Sequence, residues 1–242
     1  KACSENEICV VSIFVNPTQF NNAEDLQKYP RTLQKDAVLL ASLGVHFVFA
    51  PTPEEMYSTE EMQTRFSFDF NGLDEVMEGK MRPGHFNGVV QVVSRLFELV
   101  RPTRAYFGEK DFQQLAIIRH MVEHSALSSR FNNLKIVGCP IVREASGLAL
   151  SSRNERLSDS EKQTAVAISQ TLLASVEWAK TDSIEAVQKR VIDTINAIDG
   201  LEVEYYEIVD KSTLQPTTTF DNAIGCVTVY CGPVRLIDNI KY

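Results

Sequence analysis

The run Ile8-Cys9-Val10-Val11-Ser12-Ile13-Phe14-Val15, followed by Asn16-Pro17-Thr18-Gln19-Phe20, decides how the rest of the chain is read. Residues 8–15 are apolar on both faces and rich in β-branched side chains, the pattern of a central parallel strand covered on both sides. Asn16-Pro17 then stops the strand. Downstream, Thr32 to Leu43 carries Leu33, Ala37 and Leu40 at helical spacing, with Gly44 where a helix C-terminal glycine belongs. Val45 to Ala50 reads as a second apolar strand, closed by Pro51 and Pro53. Asn87 to Val100 places Val89, Val93, Leu96 and Val100 on one helical face. Arg104 to Phe107 reads as a strand, Gln113 to Glu123 as a helix, and Leu134 to Cys139 as another strand. Strand and helix alternate without a tight hairpin signal, which predicts an α/β domain: a parallel sheet with crossover helices.

The pattern changes after Ile141. Ser158-x-x-Glu161 forms a capping box for a helix running towards Lys180, and Asp182-x-x-Glu185 is read as opening a second. Ile184, Val187, Val191 and Ile195 share one face of that second helix, which ends near Gly200. Strand-like runs follow at 201–209, 223–231 and 234–240. Helices followed by strands predict a small α+β domain over 142–242, after the α/β domain over 1–141.

The 242 residues suit one large domain or two modest ones, at ~150 residues per domain. Hydrophobic residues at 44% and charged residues at 23% exclude a disordered chain. Only 11 Gly and 9 Pro exclude low-complexity architectures. The apolar runs fall well short of the ~18 residues that a membrane span needs, and no secretory leader is read at the start. With 24 Lys and Arg against 32 Asp and Glu, the net charge of −8 excludes the broad basic face that nucleic-acid binding requires. A phosphorylated small molecule remains compatible, since a few local cations and helix N-termini can hold it. Five scattered cysteines with no Cys-x-x-Cys pair point to reduced thiols and a cytoplasmic protein. The chain begins at Lys1 instead of Met, and a further segment is expected upstream.

Several familiar sites are missing from the sequence. It contains no G-x-x-x-x-G-K-[ST], no G-x-G-x-x-G and no G-x-S-x-G. His120 and His124 stand four apart, as two zinc ligands could, but no third ligand accompanies them. Three polar segments invite a functional reading. Asn16 to Phe20 follows a strand end, where α/β sheets bind ligands, although Asn-Pro is also an ordinary turn. Phe107-Gly108-Glu109-Lys110-Asp111-Phe112-Gln113-Gln114 also follows a strand end. Its glycine allows close backbone approach and its lysine offers a compact cation to phosphate, while Asp111 also suits a helix cap. Of the adjacent amides Gln113 and Gln114, one is expected to face a cleft. Gly147 to Asn154 carries Ser151, Ser152 and Arg153, two hydroxyls and a guanidinium suited to polyphosphate. In Arg82-Pro83-Gly84-His85-Phe86-Asn87-Gly88, His85 reads either as a proton carrier or as a loop histidine satisfied by backbone.

Taken together, SIFVNPTQF, DLQKYPRTL, VFAP…EEMY, RPGHFNGV, YFGEKDFQQL and VREASGLALSSRN resemble the pantothenate synthetase family, also called pantoate–β-alanine ligases. The resemblance extends more loosely to the end of the chain. It implies a Rossmann-like nucleotidyltransferase domain over 1–141, followed by a smaller domain over 142–242 that covers the active site. It also implies a cytoplasmic homodimer that condenses pantoate with β-alanine, using ATP with Mg²⁺ through a pantoyl adenylate and releasing AMP and pyrophosphate. By the same resemblance, Gln19 and Gln114 hold pantoate. Gly108, Glu109, Lys110 and Asp111 hold ATP around the ribose and α-phosphate, and Val142 offers backbone to adenine. Leu150, Ser151, Ser152 and Arg153 form the loop on the outer phosphates, with Leu150 replacing the usual methionine, a near volume-conserving swap. Lys110, Ser151 and Arg153 are the expected catalytic groups. The resemblance implies neither a protein-bound metal, nor nucleic acid, nor a membrane. The family's Met-x-x-x-His-x-Gly-His segment has no counterpart here. The natural protein is therefore expected to be longer by on the order of 40 residues, about one βα unit. The alternative is an impaired fragment, or a module that binds pantoate or nucleotide without turnover.

Overall fold

A computed structural model describes residues 1–21, 23–64 and 66–242. From the N-terminus the elements are α1 (Ala2–Glu5), β1 (Val10–Ser12), α2 (Ala23–Lys28), α3 (Leu33–Ser42), β2 (Phe47–Phe49), α4 (Pro53–Met56) and α5 (Thr59–Gln63). They continue with α6 (Met77–Met81), α7 (His85–Val100), β3 (Arg104–Gly108), α8 (Phe112–Glu123) and β4 (Lys135–Cys139). The chain ends in α9 (Asp159–Trp178), α10 (Ile184–Asn196), β5 (Leu201–Asp210), β6 (Ala223–Cys231) and β7 (Val234–Lys241). Two compact units result. The first comprises Lys1–Asn71, Arg82–Tyr106 and Ile117–Val137, and the second Gly72–Met81, Phe107–Ala116 and Gly138–Tyr242.

In the first unit β1 pairs in parallel with β2, Val10 opposite Phe47 and Ser12 opposite Phe49. The expectation of a long central strand over 8–15, buried on both sides, needs correction. Regular pairing covers three residues, and among the described residues β2 is the only strand beside β1. Ile8 is 64% exposed and Phe47 61%, because an apolar run does not by itself supply neighbours on both faces. Helix α7 starts two residues earlier than its apolar pattern suggests. Gly84, at φ 82°, turns the chain into it from a left-handed conformation that favours glycine. Val89, Val90, Val93 and Phe97 of α7 are buried.

Strands β3 and β4 form a second pair. Lys135 N donates to Thr103 O at one end (3.0 Å) and Glu109 N to Cys139 O at the other (2.8 Å), so the two strands run parallel.

The second unit carries an antiparallel sheet in the order β5-β6-β7. Helix α10 packs on β5, and α9 on β6 and β7. Their shared core includes Ile168 and Leu172 of α9, Val187, Val191 and Ile195 of α10, and Val227 and Val229 of β6. Glu161 N donates to Ser158 Oγ (3.3 Å) and Ser158 N to Glu161 Oε2 (2.7 Å), which closes the capping box of α9. The start of α10 differs from the expectation. Ser183, not Asp182, is the N-cap, and its Oγ accepts from Ala186 N at 3.3 Å.

Candidate functional site

In the first unit, the turn after β1 is fixed by groups far away in sequence. Asn16 is 2% exposed; its Nδ2 donates to Gly88 O (3.0 Å), and its Oδ1 accepts from Tyr57 Oη (2.9 Å). Burial is the main cause that pushes the Tyr57 phenol up to about 12, so it remains a donor at neutral pH. Helix α7 approaches the turn so closely that a Cβ on Gly88 would lie 2.6 Å from Thr18 O and 2.7 Å from Gln19 N. His85 adds a third tie. Its Nδ1 lies 2.8 Å from Gln19 O, and its Nε2 lies 3.2 Å from Arg82 Nη1. Arginine only donates, so Nε2 accepts, and the Nδ1 proton goes to the carbonyl of Gln19. Of the two readings of His85, the geometry therefore supports backbone satisfaction. Gln19, Phe20, Met62, Phe66, His85 and Asn87 line a cavity of about 530 Å³, within the size range of small-molecule sites.

The Gly108 to Gln114 segment lies in the second unit. Asn239 of β7, 4% exposed, donates through Nδ2 to Glu109 O (2.8 Å) and Lys110 O (3.0 Å). Lys241 Nζ pairs with Glu109 Oε2 at 2.6 Å, so the Glu109 carboxylate is engaged. Lys110 is half-buried and makes no side-chain hydrogen bond or ion pair among the described residues. The two adjacent amides differ in the same way. Gln113 is 4% exposed and donates to Leu73 O (2.7 Å) and Val76 O (2.9 Å). Gln114 is half-buried, and its amide has no hydrogen-bond partner among the described residues.

The Val142 to Arg156 segment begins as a tight hairpin, with Arg143 bridged to Ala149 and Gly147 at φ 99°. Leu150 N donates to Val142 O at 2.9 Å, while the Val142 side chain stays 64% exposed. Arg143 grips Asp238 of β7 with both terminal guanidinium nitrogens, Nη1 and Nη2, at 2.6 and 2.9 Å. Ser151 Oγ accepts from Arg153 N at 3.2 Å and caps the short helical turn Ser152–Arg156. Lys110, Ser151, Asn154 and Asp238 line one small cavity of about 10 Å³.

Within the second unit, then, Lys110 and Ser151 line the same small cavity, while Gln19 belongs to the first unit. Sequence reasoning gave no role to Asp238 or Asn239, nor to Tyr57 and Arg143, although these two lie inside the quoted EEMY and VREASGLALSSRN segments. Their partners lie tens of residues away or more, so no local pattern gives their roles. Gly88 lies inside the Arg82 to Gly88 segment considered above for His85. No group of three or more His, Cys, Asp and Glu that could hold a metal ion occurs among the described residues. His120 is engaged instead with Asp69 O at 3.2 Å.

Polar side chains placed just beyond the carboxyl ends of parallel strands mark the ligand-binding position of α/β proteins. Residues 1–241 match the family described as Pantoate-beta-alanine ligase. The pantothenate synthetase of Phocaeicola vulgatus is 60% identical, across 100% of this chain and 84% of that protein. That of Flavobacterium psychrophilum is 46% identical over the same shares. Among solved structures, the pantothenate synthetase of Thermus thermophilus superposes with a TM-score of 0.90 at 41% identity, covering 99% of this chain and 85% of that one. The ligase of Francisella tularensis, complexed with Beta-gamma ATP and Beta-alanine, gives 0.77 at 35% identity, covering 99% and 81%. The chain belongs to the pantoate-beta-alanine ligase family.

Proposed function

We propose that the chain joins pantoate to β-alanine at the expense of ATP. The family match across residues 1–241, with the FGEKDFQQL and LALSSRN segments in place, carries this reading. A carboxylate oxygen of pantoate attacks the α-phosphorus of ATP, and the bond to the β-phosphate bridging oxygen breaks, releasing pyrophosphate. The amine of β-alanine then attacks the acyl carbon, loses a proton, and expels AMP.

The roles are those that the family resemblance implies, and the chemistry of each group suits them. Gln19 and Gln114 hold pantoate, because amides bind carboxylate and hydroxyl without neutralising the nucleophile. Gly108, Glu109, Lys110 and Asp111 hold the ribose and α-phosphate. With its carboxylate on Lys241, Glu109 contributes through its backbone. Val142 offers its backbone to adenine. Leu150, Ser151, Ser152 and Arg153 embrace the outer phosphates. Negative charge grows on the departing pyrophosphate, and fixed donors such as Lys110, Ser151 and Arg153 stabilise it there. Magnesium arrives on the triphosphate, whose oxygens are its usual ligands. Residues 1–141 form the nucleotide- and pantoate-binding domain and 142–242 a smaller covering domain, in a cytoplasmic homodimer. No helix among the described residues is long and apolar enough to cross a membrane.

The test incubates the protein with ATP, Mg²⁺ and pantoate, with and without β-alanine, and follows AMP and pyrophosphate. AMP formation that requires both acceptor and acid supports the ligase. Binding of pantoate or ATP without AMP would leave only a binding module.

A further inference from the structure

Strand β7 touches both segments assigned above to the phosphates. Asp238 takes the bidentate grip of Arg143 and so anchors the hairpin that delivers Leu150 to Arg153. One residue on, Asn239 spends both hydrogens of its amide on two successive carbonyls, Glu109 O and Lys110 O. Two residues further, Lys241 holds the Glu109 carboxylate. Backbone carbonyls at a loop crest normally face water, yet here a nearly buried side chain from 129 residues away satisfies a pair of them. The two bonds tie the crest directly to β7. Lys110 and Ser151 then meet around one cavity whose wall also includes Leu236, Ile237 and Asp238 of β7.

We propose that β7 is the template that sets the spacing between the lysine turn and the serine–arginine loop, and that Asn239 is a positioning residue for Lys110. This rests on the phosphate-binding roles given above. Asn239 touches neither substrate nor reacting atoms; it acts by holding the main chain from which Lys110 projects. An offset of about 1 Å between a positioned group and the reacting atoms costs on the order of a hundredfold in rate.

The experiment is a double-mutant cycle on the full chain, followed by pyrophosphate release from ATP and pantoate. Asn239→Asp keeps the size but sets an acceptor against two carbonyls. Asn239→Ser keeps one donor and buries no charge, and it decides the matter alone if the aspartate variant does not fold. Each is paired with Lys110→Ala. For the Asn239 variants in the wild-type background, kcat should fall by about ten- to a hundredfold while KM for pantoate moves by less than about threefold. In the Lys110→Ala background the same substitutions should change kcat by less than about threefold, since the group they position is gone. A purely structural role would lower the melting temperature and leave the two effects on kcat multiplicative, and that result overturns the proposal. So does wild-type-like kcat in the Asn239 variants when Lys110→Ala is impaired. Full activity of Lys110→Ala would instead overturn the phosphate-binding reading, and the template with it.

Discussion

A half-buried lysine that no carboxylate engages keeps its ammonium free while its stem packs against the fold. Lys110 has that character among the described residues, held on a turn whose carbonyls are both occupied. Such a group is available to an anionic ligand. Lys110→Ala should lower turnover by at least about a hundredfold, as removal of a fixed charge at developing negative charge typically does, with the circular dichroism unchanged. Activity within a few-fold of wild type would remove Lys110 from the phosphate site. The two glutamines make a sharper comparison. Gln113 is spent on Leu73 and Val76, whereas Gln114 has an uncommitted amide. Gln114→Ala and Gln19→Ala should each raise KM for pantoate by about ten- to a hundredfold, matching a lost hydrogen bond to a charged group of roughly 1.5–3 kcal/mol. KM for ATP should move far less. Equal effects on both substrates would assign the amides a structural part instead.

Helix α9 shows what a local pattern can settle. Ser158-x-x-Glu161 names its own start because every partner lies within four residues. Ser158→Ala should cost ~1 kcal/mol in chemical denaturation. Glu161 adds a pH signature. The Ser158 backbone N–H, and then its hydroxyl, hold the Glu161 carboxyl below the usual glutamate range. A folded pKa lower than the unfolded one stabilises above the unfolded value, and that stability is lost as pH falls through the folded value. The melting-temperature gap between wild type and Glu161→Ala should thus be full at pH 7 and shrink progressively as pH falls below the unfolded glutamate value of about 4.3. A gap that does not shrink at all as pH falls from 5 to 2 would mean that the carboxylate charge is not what matters. Other elements depend on distant partners, and there the sequence was less informative. Residues 8–15 contain the apolar character of a strand but nothing about how many neighbours it has, and pairing is confined to Val10–Ser12. The same holds for Arg235, which binds Glu78 through two nitrogens at 2.7 Å and Glu204 at 2.9 Å. Burial works against that charge, yet the two carboxylates outweigh it and hold Arg235 more firmly protonated than usual. Glu78 sits on α6, 157 residues from Arg235, so no window of sequence could reveal the pair. For the site, the strand-end segments were legible as types and positions of residues. Asn16, His85 and Asn239, which orient them, became visible only with the long-range contacts.

Across the whole molecule, apolar burial is uneven. The second unit holds a continuous core in which Leu172, Val187, Val191, Ile195 and Val229 are fully enclosed. In the first unit, Val38 is 71% exposed, Leu43 62% and Phe47 61%, on and beside α3 and β2. Burial of a Leu or Ile side chain contributes roughly 1.5–3 kcal/mol, so elements that leave such residues in water gain correspondingly little. Local opening free energies range from near zero up to the global value, and strands with few buried contacts occupy the low end. Native-state hydrogen exchange should therefore separate the two sheets. Amides of β6, flanked by β5 and β7 and covered by α9, should exchange only through global unfolding and follow its denaturant dependence. Amides of β1 and β2 should exchange through smaller openings, at least about 2 kcal/mol lower and nearly insensitive to low denaturant. Ile195→Ala, at a position with no exposure, should reduce β6 protection by ~2–5 kcal/mol and leave the exchange of β1 unchanged. Equal protection of β1 and β6 would show that the exposed apolar residues of the first unit do not weaken it, and that its stability has a source other than apolar burial.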